Sequence, residues 1–101
     1  MSAFLAKLIF PDGNVTDIEP KDGKIFQYRE LSDYIGGYLE IIRPPGRRGA
    51  LLIVDEEGKL KGLPLNRVAT LLWIEGCEPG SARETDYVHG TAILCHASQL
   101  E

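Results

Sequence analysis

The stretch Tyr34-Ile35-Gly36-Gly37-Tyr38-Leu39-Glu40-Ile41-Ile42 is where the hydrophobic period of this chain changes. Upstream, Leu31, Tyr34 and Ile35 fall at i, i+3 and i+4 with Arg29, Glu30, Ser32 and Asp33 between them, which predicts a two-turn amphipathic helix over Tyr28 to Ile35. Gly36-Gly37 stops it, because one glycine can take the left-handed position that ends a helix. Downstream, Tyr38 to Arg43 alternates loosely and reads as a strand. A helix feeding directly into a strand places both element types in one small unit.

Working outward from that switch gives the rest of the order. Pro44-Pro45-Gly46-Arg47-Arg48-Gly49 is a loop, since two prolines deny donors to a ladder. Ala50 to Val54 is a continuous apolar run and predicts a buried central strand. Asp55-Glu56-Glu57-Gly58 turns the chain, and Lys59-Leu60-Lys61 is expected to return as a short edge strand. On the other side, Ala3 to Phe10 is apolar on both faces except at Lys7 and predicts a strand. Pro11-Asp12-Gly13-Asn14 turns it into a hairpin whose second arm is Val15 to Glu19. Leu65, Val68, Ala69 and Leu72 follow the helical period, so a second short helix is expected at about Arg67 to Ile74, with Asn66 as its N-cap. Cys77 to Asp86 reads as a loop and Tyr87 to Cys95 as the last strand. Hairpins outnumber crossovers, so the expected class is α+β, a small mixed, largely antiparallel sheet of five to six short strands with two short helices. Residues 1–96 form one domain in this reading and 97–101 a C-terminal tail.

Composition narrows the functional classes. The 101 residues carry 11 Lys+Arg against 15 Asp+Glu, a net charge of −4, and 44% are hydrophobic. That apolar content excludes a disordered acidic chain, and no apolar run reaches the roughly 18 residues of a membrane span. The acidic balance argues against a protein that coats nucleic acid. The first ten residues have no basic n-region and read as a strand, not a signal peptide. Two cysteines, Cys77 and Cys95, are too few for a disulfide scaffold; a cytoplasmic protein with reduced thiols is expected, with one disulfide between them as the alternative.

The switch region and the segment Val54-Asp55-Glu56-Glu57-Gly58-Lys59-Leu60-Lys61-Gly62-Leu63-Pro64-Leu65-Asn66 together resemble the domain-of-unknown-function family numbered three-eight-four-six, small proteins of bacteria, phages and plasmids. The resemblance is carried in order by Gly36, Gly37 and Glu40, then Glu56, Glu57, Gly58 and Leu60, then Gly62, Asn66, Ala69 and Thr70, and finally Gly90 before Ile93 and Leu94. It spans about residues 3–96. Asp55 stands where the family often has Asn, and the 77–86 loop is longer than usual. The resemblance implies the fold and no chemistry.

Function must therefore come from individual residues. Glu40 lies within a strand between Leu39 and Ile41, where a buried carboxylate would need Arg43, Arg67 or a backbone donor. Asn66 beside Arg67 at a helix N-terminus offers an anion-binding corner as well as a cap. His89 is a candidate acid or base by residue type, without a nucleophile–base–orienter set around it. Glu40, Asn66, Arg67 and His89 are thus the candidate ligand-binding residues. Arg43, Arg47, Arg48 and Trp73 are the candidate interaction surface. Gly36-Gly37 admits a close ligand approach but reads first as a helix stop. Asp55-Glu56-Glu57 does not match a calcium loop and reads as an acidic surface turn. The two histidines and two cysteines lack zinc-site spacing, so no metal, cofactor or catalytic residue is expected. The leading expectation is a small non-catalytic accessory protein that binds a protein partner or a small anionic ligand, with a homodimer as a further expectation through its edge strands. The alternatives are a small enzyme using His89 with acids near Asn66, and a nucleic-acid-associated protein using the Arg43–Arg48 loop.

Overall fold

Leu51, Leu52, Ile53 and Val54 are all buried, so the strand they form has no solvent face. A computed structural model of the chain, which describes residues 6–44, 48–74 and 87–100, accounts for this. The elements are β1 (Ala6–Ile9), β2 (Val15–Ile18), α1 (Tyr28–Ile35), β3 (Leu39–Ile42), β4 (Ala50–Asp55), α2 (Arg67–Ile74) and β5 (Ala92–His96). The strands make one antiparallel sheet in the order β2-β1-β5-β4-β3. Two hairpins form the flanks, and the last strand inserts between them. This is the α+β class, with five strands among the described residues.

The register sorts every strand's side chains onto two faces. Leu51 opposes Cys95, and Ile53 opposes Ile93, which opposes Leu8. These residues join Phe26, Leu31 and Ile35 in one core under α1. On the opposite face Ile9, Ile42, Leu52, Val54 and Ala92 pack with Ala69 and Val88, and Val68, Leu72 and Trp73 close over them from α2. Each fully buried Leu or Ile contributes about 1.5–3 kcal/mol. The buried thiol of Cys95 is free, and burial pushes its pKa up to about 11.

Both helices occupy the residues that the periodicity predicts. The start of α1 is held by Glu30, a buried carboxylate that accepts from the backbone N–H of Gln27 at 3.0 Å and of Lys21 at 3.1 Å. At its end Gly36 takes φ 87° and donates its N–H to Ser32 O.

Three expectations give way. Lys59-Leu60-Lys61 is not a strand: β4 already has β3 and β5 as neighbours, so no edge remains beside it for a returning arm. The donors of this segment go into successive turns instead, Gly58 N to Asp55 O, Lys61 N to Glu57 O and Gly62 N to Lys59 O. The final strand starts at Ala92, later than Tyr87, because Gly90 at φ 93° breaks the extended run. After His96 the chain forms a 3-10 turn, Ala97–Gln99, in which Gln99 is buried and its carbonyl accepts from Phe26 N at 2.8 Å. The expected loop at 77–86, with Cys77, lies outside the described residues, as do Arg47 and the chain before Ala6.

Candidate functional site

Residues 63–66 and 88–90 run side by side at the α2 end of the sheet. Leu65 bridges His89, Asn66 N–H donates to Val88 O at 2.7 Å, and Gly90 N–H donates to Pro64 O at 2.8 Å. Asn66 sits behind this pairing with no exposed surface. Its amide nitrogen donates to Ile9 O and Gly90 O at 2.9 and 2.8 Å, and its amide oxygen accepts from Ala69 N–H at 3.1 Å. Asn66 therefore is the N-cap of α2, and it also ties the helix to β1 and to the segment before β5. Thr70, one turn on, donates its hydroxyl to Asn66 O and accepts from Val88 N–H. Every polar atom of Asn66 is spent on the protein, so it offers nothing to an anion.

A second polar cluster lies at the C-terminal end of β4, close to the first. The Asp55 side chain is buried, accepts from Glu57 N–H at 2.8 Å, and is bridged by Lys61 Nζ at 2.8 Å. The hydrogen bond to Asp55 raises the pKa of Lys61 above its ordinary value. Asp55 is thus an internal partner of Lys61, not a surface acid. Gly37 packs directly on this pair: a Cβ there would lie 2.9 Å from Asp55 Oδ2 and collide with Lys61 Nζ. Gly58 packs as closely on the carbonyl of His89. The two glycines of the switch region have separate duties, since Gly36 ends the helix and Gly37 makes room for an ion pair.

Between these clusters, on the α2 face, lies a concave space of about 300 Å³. Ile42, Val54 and Val88 form its floor, Trp73, Tyr87 and His89 its aromatic walls, and Glu40, Glu56 and Lys59 its charged rim, with Asp55 at the back. His89 is held by a 3.1 Å contact between Nδ1 and Leu63 O. A carbonyl only accepts, so Nδ1 carries the proton in that bond and Nε2 is the basic nitrogen of the neutral ring.

The candidate residues therefore divide. Glu40 and His89 line the cleft together, and Trp73, expected at an interaction surface, joins them. Glu40 is exposed, so it needs no buried partner. Asn66 lies behind the cleft, while Arg67 is exposed and outside its lining. Arg43 and Arg48 are exposed on the far side of β3 and at the entry to β4, and Arg47 is outside the described residues. Among the described residues, no group of three or more His, Cys, Asp or Glu side chains is placed to hold a metal ion. No described helix is long and apolar enough to cross a membrane. Sequence reasoning missed Glu30, Thr70 and Gln99 as buried polar residues. The Asn66–Thr70 spacing of four was the available signal, one helical turn from cap to hydroxyl.

No curated protein and no solved structure matches this chain. A family model does, over residues 8–100, which takes in the second half of β1, strands β2 to β5, both helices and the cleft. The chain belongs to the family of that model, the domain of unknown function DUF3846.

Proposed function

We propose that the domain is a small accessory binding module without catalytic activity, and that its binding site is the cleft between β3, β4 and α2. The observation that carries this is the 300 Å³ hollow walled by Trp73, Tyr87 and His89. A space of about that size is at the lower end of small-molecule sites, and it also fits one side chain of a partner protein. Its charge selects the ligand. Asp55 is neutralised by Lys61, which leaves Glu40 and Glu56 against Lys59 on the rim. Two carboxylates with aromatic walls favour a cationic group, an amine or guanidinium, over the small anion expected from Asn66 and Arg67. A binding role is favoured over an enzymatic one because His89 is oriented by a backbone carbonyl, and a carboxylate orienter is what acid–base work commonly uses. The nucleic-acid reading loses Lys61 to Asp55 and Lys59 to an acidic rim, so neither extends a basic face from Arg43 and Arg48.

An NMR titration tests this with arginine methyl ester, inorganic phosphate and succinate as probes. Saturable shifts of the Trp73 indole and His89 ring with the cationic probe are expected, with the His89 shift lost in Trp73→Ala. Shifts with phosphate or succinate in its place would overturn the charge assignment. A cleft silent to all three would remove it as the binding site.

A further inference from the structure

Among the described residues β2 and β3 are the outer strands of the sheet, and they differ in what they present. At the β3 edge, Glu56 N–H donates to Tyr38 O, so the Tyr38–Glu56, Glu40–Val54 and Ile42–Leu52 pairs carry the ladder bonds to β4. The N–H and C=O groups of Leu39 and Ile41 then point away from β4, on the side where no other described strand pairs with β3. Ile41 is 50% exposed and Tyr38 67% exposed on this edge. Alongside it runs a groove lined by Tyr28, Leu31, Leu39, Ile41 and Leu100.

The β2 edge is guarded. Phe10 N–H donates to Asn14 O, so by the same alternation Val15 and Asp17 carry the outward groups. Asp17 is charged and paired with Lys7, and Glu19 and Pro20 follow it. Charge and proline are the usual means of keeping an edge unpaired.

We propose that β3 pairs with β3 of a second copy of this chain, antiparallel about a two-fold axis at Ile41. A second copy fits because the edge is its own complement. With Ile41 opposite Ile41, the outward N–H of each meets the outward C=O of the other, and Leu39 faces Arg43 of the partner subunit. Faces stay continuous only for registers that pair odd with odd and even with even. Shifting the axis to Glu40 would set two carboxylates directly opposite at the closest strand spacing, which is destabilising. Centred on Ile41, Glu40 lies across from the partner's Ile42, and the two half-exposed Ile41 side chains cover each other beside the groove. Counting the described strands, the product is a continuous ten-stranded sheet with guarded β2 edges at both ends, so assembly closes at the dimer.

Sedimentation equilibrium of the full chain across the micromolar to millimolar range tests this. Wild type is expected to show a reversible monomer–dimer equilibrium. Ile41→Pro removes an N–H that the monomer does not use, and is expected to weaken dimerisation roughly tenfold to a hundredfold. Ile41→Lys is expected to weaken it to a similar extent without touching the backbone, and decides the matter if the proline variant misfolds. Glu40→Gln is expected to strengthen it severalfold by relieving diagonal repulsion. Hydrogen exchange is expected to slow at the Leu39 and Ile41 amides as concentration rises. A wild type that stays monomeric over the whole range overturns the proposal. So does a dimer unaffected by both Ile41 variants, or one whose β3 amides exchange at the same rate at every concentration, which would place the contact elsewhere.

Discussion

Asn66 and His89 belong to two segments that touch, yet the fold uses them in opposite ways. Asn66 is sealed, and each of its polar atoms answers a backbone group from β1, α2 or the segment before β5. His89 is anchored by one nitrogen and stands in the wall of a hollow. A polar residue within a hydrophobic pattern is thus ambiguous in sequence. Its meaning depends on whether the surrounding backbone has unsatisfied donors and acceptors for it to meet. The corner around Asn66 had three such groups, and one amide matched them all.

If this division is right, the largest effect comes from the sealed residue. Asn66→Ala leaves Ile9 O, Gly90 O and Ala69 N–H without their partner and is expected to cost about 3–5 kcal/mol, read from urea unfolding. Asn66→Asp is expected to be at least as harmful, because an oxygen would face carbonyls that need a donor. A loss under about 1 kcal/mol for the alanine variant would mean water replaces the amide and the corner is not sealed.

Gly37→Ala comes next. Its Cβ would press on Asp55 and Lys61, so a loss of about 1–3 kcal/mol is expected. The loss should shrink in a Lys61→Ala background, where the nearest atom is gone. An equal loss in both backgrounds would point to backbone strain instead of crowding.

The bridge behind the cleft has a pH signature. Folding raises the pKa of Lys61 above 10.5, so the folded state holds that proton more tightly than the unfolded chain. Its contribution is fully present below that value and is lost as pH rises through the folded pKa. The advantage of wild type over Lys61→Met in thermal unfolding should therefore be constant from pH 6 to about 9 and decline above about 10.5. A difference that persists undiminished into strong alkali would show that packing of the lysine stem, not its charge, is what matters.

The smallest effect is expected at the cleft rim. Glu40→Gln should leave the monomer's stability within about 0.5 kcal/mol, since the side chain is exposed. A large loss there would place Glu40 among the structural residues, with Asn66.

The helices and the hairpins were legible because their signals are local. The spacing of Leu31, Tyr34 and Ile35 before two glycines marks α1, and Leu65, Val68, Ala69 and Leu72 mark α2. Proline, aspartate and glycine mark the turn between β1 and β2. The candidate site was half legible. Glu40, Trp73 and His89 were singled out one by one, but nothing in their spacing says that they meet, because they come from three segments joined only across the sheet.

Local pattern thus determined the elements, their class and the family, since backbone dihedral preference and side-chain period act over a few residues. Only tertiary structure decided that β5 inserts between β1 and β4, which removed the edge that Lys59-Leu60-Lys61 would have needed. It also decided that Asp55 is internal, that Gly37 must be small, and that Asn66 is sealed while His89 is not. These outcomes depend on which donors, acceptors and charges meet across long stretches of chain, and that is set by packing.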